Sequence, residues 1–247
     1  MDTARQLLLP FPDEPGYNAA DFIAAPSNQV AMAWLTRVPD WPDRRLAIWG
    51  AAGSGKTHLL RIWCAQTGAE AHAGPTLRGL PTALTDAGLA IDDADAVPDE
   101  TTLLHWLNTA RDFQVPVLIT SRTPPSRWQI RLPDLASRLR AILAVGIEPP
   151  GDALLSALLA HLLSDRQWRL DSRAQDRLLP LLPRSPGGLR EAVARLDHVL
   201  MTTGGRLTQK LIEAVVTEMS TNDREPAGEM GASVEYHAPV PTTAQRP

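Results

Sequence analysis

The stretch Leu46-Ala-Ile-Trp-Gly-Ala-Ala-Gly-Ser-Gly-Lys-Thr57 decides the fold of this 247-residue chain. Its first four residues are typical of a short apolar strand, and the next eight match the pattern G-x-x-x-x-G-K-[ST]. An amphipathic run over 58–66 follows. A strand, this pattern and a helix in that order form a phosphate-binding loop, or P-loop. The sequence therefore predicts a nucleotide-binding protein of the α/β class.

The P-loop contains the residue types that phosphate binding requires. Its glycines let the backbone turn N–H groups toward phosphate oxygens, and the helix that follows adds the positive end of its dipole. Lys56 supplies a charge for the β- and γ-phosphates, and Thr57 supplies a hydroxyl ligand for Mg²⁺. The residues expected to bind ADP or ATP here are Gly50, Gly53, Ser54, Gly55, Lys56 and Thr57.

A second apolar run ends in two carboxylates 35 residues after Thr57, in Gly88-Leu-Ala-Ile-Asp-Asp93. P-loop proteins hold Mg²⁺ with an acid at the end of such a strand, so we expect Asp92 to be the metal-side carboxylate. Asp93 occupies the place where many ATPases carry a glutamate that polarises the attacking water. Its shorter side chain predicts slow intrinsic hydrolysis. The alternative interpretation of Asp92-Asp93 is an acidic turn that caps a helix.

The chain divides into four regions. Residues 1–20 are predicted to be a flexible leader, because prolines interrupt them and no helical period is present. Residues 21–150 alternate strand and helix patterns, as in a parallel sheet covered by helices. Residues 151–219 are predicted to form a small helical unit, and 220–247 a disordered tail. The predicted strands are 46–49, 70–73, 88–92, 115–120 and 142–147, and one continuous helix is predicted over 172–182.

Composition excludes several classes of protein. The 24 Lys and Arg residues against 28 Asp and Glu give a formal charge of −4, which argues against a broad basic face and strong direct DNA binding. One cysteine, Cys64, excludes a disulfide framework and a multi-cysteine metal site. We expect no membrane span and no secretory signal, and therefore a cytoplasmic protein.

Two arginines are candidates for contact with a γ-phosphate. Arg138 lies on a predicted helix just before the last strand, and Arg190 lies at the start of a helix in the C-terminal region. An arginine inserted into a phosphoryl-transfer site accelerates the reaction about 10³–10⁵-fold. By pattern alone, each of the two is more commonly a solvated surface residue.

In combination, several motifs resemble the AAA+ module of the bacterial replication initiator DnaA family, over about residues 5–217. They are Phe22-Ile-Ala-Ala-Pro-Ser-Asn28, Gly50–Leu60, Ile91-Asp-Asp93, Ile119–Pro125 and Leu132–Leu139. The resemblance implies a three-layer P-loop domain with a helical lid, in which Ile23, Asn28 and His58 adjoin the nucleotide. It also implies that Thr120 or Ser121 is the sensor 1 residue, Arg138 the arginine finger and Arg190 the sensor 2 arginine.

Within that family the chain resembles the shortened, Hda-like regulatory inactivators of DnaA more than the initiator itself. The leader segment Gln6-Leu-Leu-Leu-Pro-Phe11 is similar to the peptide by which bacterial proteins dock on the sliding clamp, the β subunit of DNA polymerase III. In that interpretation Gln6, Leu7, Leu9, Pro10 and Phe11 bind the clamp, with apolar side chains in pockets. The alternative for this segment is an N-terminal strand packed on the core.

The resemblance implies a regulator of replication initiation with weak or no ATPase activity of its own, which offers Arg138 in trans to ATP held by DnaA. The partners are then DnaA and the sliding clamp, with a homodimer left open. One alternative is a non-catalytic adaptor that binds the initiator. Another is an autonomous ATPase, such as a helicase loader or a clamp-loader-like motor, and a third is a P-loop kinase.

Overall fold

The computed structural model describes residues 21–81, 84–168, 171–203 and 207–222. The predicted clamp peptide, Gln6–Phe11, and residues 223–247 of the predicted tail lie outside these ranges.

Five parallel strands form one sheet in the order β2-β3-β4-β1-β5. Both neighbours of β1 follow it in the chain through helical crossovers, as parallel pairing requires. The central strands are apolar and buried on both faces, the pattern of a parallel sheet covered by helices. Their bounds are β1 Arg45–Trp49, β2 Glu70–Ala73, β3 Leu89–Asp92, β4 Val117–Ser121 and β5 Leu143–Gly146.

Of the α-helices in the described part of the chain, four belong to the sheet region and four follow it. Separate hydrophobic clusters lie on the two sides of the sheet. One contains Leu107 and the other Trp63, and both side chains are completely buried. The first four helices are α1 Pro26–Leu35, α2 Lys56–Thr67, α3 Glu100–Asp112 and α4 Pro133–Ala141. The others are α5 Asp152–Asp165, α6 Ser172–Leu178, α7 Pro186–Thr203 and α8 Gln209–Asn222.

The four C-terminal helices have a hydrophobic cluster of their own. Leucines at helical spacing on α5, such as Leu155, Leu159 and Leu162, pack against buried apolar residues of α7 and α8. Burying a leucine side chain stabilises by about 1.5–3 kcal/mol, so this cluster is a core rather than a surface contact. Within the described ranges, no helix is both long enough and apolar enough to cross a membrane.

Prolines account for two differences from the predicted elements. β4 begins at Val117 rather than at 115, because Pro116 has no N–H for the ladder. The predicted helix over 172–182 ends at Leu178 and continues only as a 3₁₀ turn, Leu179–Leu181, because Pro180 cannot donate to the helix. At the other end of the chain, α8 extends to Asn222, beyond the predicted start of the tail at 220.

Candidate functional site

The P-loop joins the end of β1 to the start of α2, as its sequence pattern requires. Gly53 and Gly55 have φ values of +71° and +104°, which L-side chains rarely adopt. Gly55 is the N-cap of α2, so the loop ends directly at a helix N-terminus. The Ser54 hydroxyl oxygen is buried and lacks a hydrogen-bond partner within the described residues. A buried polar atom of this kind fits a loop that is completed by a ligand.

Lys56 is buried at the base of the loop with 6% of its surface exposed. Its ammonium donates to the Ala51 carbonyl oxygen at 3.0 Å. Burial lowers the pKa of Lys56, and the nearby carboxylates of Asp93 and Asp92 oppose that shift. The ammonium is therefore poorly solvated and close to the loop backbone, the situation in which an added phosphate binds it strongly.

Thr57 and Asp92 converge as predicted from their positions in the sequence. The Thr57 hydroxyl donates to Asp92 Oδ2 at 2.8 Å. These oxygens are of the type that Mg²⁺ prefers, and Mg²⁺ commonly takes only one or two protein ligands beside phosphate and water. Within the described ranges there is no cluster of three or more His, Cys, Asp or Glu that could hold a metal ion.

The structure distinguishes between the two sensor 1 candidates. The Thr120 hydroxyl donates to Asp92 Oδ1 at 2.5 Å and accepts from the Asp93 N–H at 2.9 Å. The Ser121 hydroxyl instead donates to the Thr123 carbonyl oxygen. Thr120 is thus the polar side chain of β4 that contacts the Asp92 carboxylate and the Asp93 backbone. The register of β3 and β4 explains this contact, because the pair Ile91↔Ile119 puts the next residues, Asp92 and Thr120, beside each other.

Asp93 follows the strand in a left-handed conformation with φ of 50°. Burial and the charge of Asp92 raise its pKa, while Lys56 acts in the opposite direction. Beyond it, Asp95 accepts a hydrogen bond from the Arg122 backbone N–H at 2.9 Å, which fixes the loop after β4. The three carboxylates thus lie at one edge of the sheet, next to the P-loop lysine.

The segment before α1 folds over the P-loop. The Phe22 ring contacts His58 edge to face, with centroids 5.1 Å apart, and lies 3.4 Å from where a Cβ on Gly55 would be. Asn28 is 4% exposed, and its amide accepts from Ala25 N–H and donates to the Ile23 carbonyl oxygen. Asn28 therefore fixes the shape of this segment. Ile23 lines a cleft of about 1170 Å³ between α1, β5 and α5, in which no P-loop residue takes part.

The start of α7 contacts the P-loop directly. The Gly187 N–H donates to the Gly53 carbonyl oxygen at 2.8 Å, and a Cβ on Gly187 would lie 2.7 Å from Gly53 Cα. Three residues further on, Arg190 has a terminal nitrogen 3.4 Å from the Asp21 carbonyl oxygen. The predicted sensor 2 arginine thus lies beside the segment that covers the loop.

Arg138 is not part of this cluster. It lies on α4 near Arg45, the first residue of β1, whereas the P-loop begins after the last residue of β1. A five-residue strand is about 13–17 Å long. Arg138 and the P-loop therefore lie near opposite ends of β1. The Arg138 guanidinium donates to Asp134 at 3.1 Å, and its side chain is 20% exposed.

Two structural residues of the region escaped prediction from sequence. The Glu100 carboxylate accepts from the N–H groups of Arg131 and Leu132 and so holds the start of α4, which carries Arg138. These bonds lower the pKa of Glu100. Gly187 is the other, and its sequence signal was the pair Gly187-Gly188 at a helix start.

The sheet order, the P-loop after β1 and the acid at the end of β3 match the AAA+ P-loop fold, which confirms the predicted fold class. No protein-family model matches the chain. Over 242 residues it is 24% identical to the chromosomal replication initiator protein DnaA of Cutibacterium acnes, in a match that covers 87% of this chain and 47% of that protein. The chain therefore spans about half the length of the curated relative it matches.

Solved structures show the same fold. Domain III of the Thermotoga maritima replication initiation protein DnaA matches with a TM-score of 0.65 and 22% identity, over 84% of this chain and 97% of that domain. AMPPCP-bound DnaA from Aquifex aeolicus matches with a TM-score of 0.59 and 17% identity, over 85% of this chain and 70% of that one. In sequence and in fold, the chain is thus similar to the AAA+ module of DnaA.

Proposed function

We propose that this chain is an Hda-like regulator of chromosomal replication initiation, which promotes hydrolysis of ATP bound to DnaA by supplying Arg138 in trans. One observation carries the proposal: Arg138 is partly exposed near the start of β1, whereas the chain's own P-loop follows the end of β1. A guanidinium in that position can reach only a nucleotide held by another molecule. There it stabilises the negative charge that develops on the γ-phosphate.

The chain's own nucleotide has a different role in this proposal. ADP or ATP binds at Lys56, with Mg²⁺ held by Thr57 and Asp92. The similar fold of AMPPCP-bound DnaA supports nucleotide binding by this chain. Because Gly187 and the P-loop are in contact, the nucleotide sets the angle between residues 21–150 and the helical lid, 151–219. The leader peptide Gln6–Phe11 docks this cytoplasmic protein on the sliding clamp.

Replacing Arg138 by alanine tests the proposal. We expect Arg138→Ala to reduce DnaA-bound ATP hydrolysis to the unstimulated rate, because an arginine finger contributes about 10³–10⁵ in rate. Binding of ADP and of the clamp should be unchanged. Arg140→Ala is the matched control, since Arg140 lies exposed on the same helix. If Arg138→Ala stimulated hydrolysis of DnaA-bound ATP as fully as wild type, the assignment of Arg138 would be wrong. If the wild-type chain gave no stimulation, the non-catalytic adaptor would be the better interpretation.

An autonomous ATPase is the second candidate, favoured by the complete arrangement of Lys56, Thr57, Asp92 and Thr120. We expect ATP turnover by the isolated chain to be slow, because Asp93 is one methylene shorter than glutamate. Rapid turnover without DnaA, abolished by Lys56→Ala, would favour the autonomous ATPase over the regulator. Mass spectrometry of the nucleotide released from freshly purified protein identifies the resident ligand.

A further inference from the structure

Three arginines line a small cavity at the end of the sheet where β1 begins, about one strand length from the P-loop. Arg45 comes from the start of β1, Arg111 from the last turn of α3 and Arg138 from α4. The cavity has a volume of about 230 Å³, and the carboxylates of Asp43 and Asp134 also line it. We call it the arginine cavity. At about 30 Å³ for each water, it has room for a phosphoryl group.

Positive charge in the arginine cavity is incompletely compensated. Arg45 is 5% exposed and donates to the Leu107 carbonyl oxygen, and among the described residues it forms no ion pair within 4.0 Å. Burial lowers the pKa of Arg45 most, followed by the charge of Arg138, with Asp43 opposing. The fields of the guanidinium groups therefore overlap. A buried charge of this kind is costly unless an anion accompanies it.

The contact that now holds Arg138 is easily exchanged. Its partner Asp134 is 59% exposed, and exposed ion pairs of this type contribute little. The Arg138 Nε is buried without a hydrogen-bond partner among the described residues. A phosphate, by contrast, accepts two parallel hydrogen bonds from a guanidinium and carries more charge than a carboxylate. Arg138 thus has a weak resting partner and a stronger alternative.

We propose that the arginine cavity is a polyphosphate-binding site, with Arg111 and Arg138 as direct ligands and Arg45 as a fixed charge behind them. The inference rests on the proposed function and extends it. The phosphates are the terminal phosphates of a nucleotide held by DnaA, so that two arginines, rather than one, contact the triphosphate. A free polyphosphate has the same chemistry and is the other source that the experiment must distinguish.

The binding experiment uses inorganic tripolyphosphate as the probe and isothermal titration as the readout. The chain's P-loop is first saturated with ADP and Mg²⁺, and the titration is repeated in a Lys56→Ala background to remove any contribution of that loop. We expect Arg111→Ala and Arg138→Ala each to weaken binding about tenfold, the value of a charge-assisted hydrogen bond. Arg111 is exposed, so its replacement should leave the fold intact.

Three further variants sharpen the test. Arg140→Ala removes a charge from the same helix outside the cavity and should change the affinity less than about twofold. Arg111→Lys, which keeps the charge, should recover part of the loss. Asp134→Asn should act in the opposite direction and tighten binding about threefold, because it removes the competitor for Arg138. Wild-type affinity in both Arg111→Ala and Arg138→Ala would overturn the site.

Stimulation of DnaA-bound ATP hydrolysis then identifies the source of the phosphates. If the source is the DnaA nucleotide, Arg111→Ala lowers stimulation together with tripolyphosphate affinity. Full stimulation by an Arg111→Ala variant that no longer binds tripolyphosphate would overturn this assignment and leave a free polyphosphate as the ligand. Failure of the wild-type chain to stimulate DnaA would refute the proposed function, whereas the titration would still decide whether the cavity binds polyphosphate.

Discussion

At Asp93 an unusual backbone conformation coincides with an unfavourably placed charge. Its backbone is left-handed, and burial together with Asp92 raises its pKa. A carboxyl group whose pKa is higher in the folded state than in the unfolded state binds protons more tightly when folded. Above the folded pKa the ionised group therefore destabilises the protein, and the penalty disappears when pH falls below the unfolded value of about 3.9.

Replacing Asp93 by asparagine should remove this penalty. We expect Asp93→Asn, without nucleotide, to unfold at higher urea than wild type at pH 7, because asparagine is uncharged and tolerates the left-handed conformation. The advantage should shrink as pH falls through the raised folded pKa and vanish near the unfolded value. Asp40→Asn, at an exposed position, should stay within about 0.5 kcal/mol of wild type. An Asp93→Asn variant no more stable than wild type at pH 7 would contradict this account.

At the scale of elements, the sequence predicts what is local and misses what depends on register or crossover. The β1–P-loop–α2 unit was predictable because a contiguous pattern encodes it. Sequence left Thr120 and Ser121 equivalent, because the choice depends on how β3 and β4 align. The meeting of Arg45, Arg111 and Arg138 was not predictable, since they come from three elements brought together only by packing.

Two helices end in the same way, with glutamine where glycine is usual. After α3, the Gln114 N–H donates to the Arg111 carbonyl and the Val115 N–H to the Ala110 carbonyl, with Gln114 at φ of 54°. After α5, Gln167 has φ of 58° and makes the corresponding bonds. This is the Schellman motif, in which a left-handed residue, most often glycine, follows the helix. Both glutamines therefore adopt a conformation that costs a side-chain-bearing residue about 1–2 kcal/mol.

Glycine at these positions should stabilise the protein. We expect Gln114→Gly to raise the free energy of unfolding by about 1 kcal/mol, because it removes the left-handed penalty at an exposed site and loses only some unfolded-state entropy. Gln167→Gly should act similarly at the end of α5. Urea denaturation measures both. Gln114→Ala retains the Cβ and serves as the control. If Gln114→Ala raised the free energy of unfolding as much as Gln114→Gly, relief of the left-handed conformation would not be the cause.

At the scale of the whole molecule, the contact between Gly53 and Gly187 joins the sheet region to the C-terminal helices. It consists of one backbone hydrogen bond and a close approach of two backbones, with no side chain to yield. Arg190 and Asp21 add a second connection a turn further along α7. Because one side of this contact is the P-loop itself, any movement of α7 acts directly on the backbone that would hold phosphate.

Gly187→Ala tests whether this contact matters for nucleotide binding. Its Cβ would lie 2.7 Å from Gly53 Cα, so the start of α7 must move away from the P-loop. We expect ADP affinity, measured by isothermal titration, to fall about tenfold, in line with the 1–3 kcal/mol cost of overpacking. Helix content should be unchanged, because alanine is the better helix former. In Gly151→Ser the new side chain meets open space at an ordinary φ of −75°, so ADP affinity should equal that of wild type. If a folded Gly187→Ala variant also bound ADP like wild type, the C-terminal helices would have no energetic coupling to the nucleotide site.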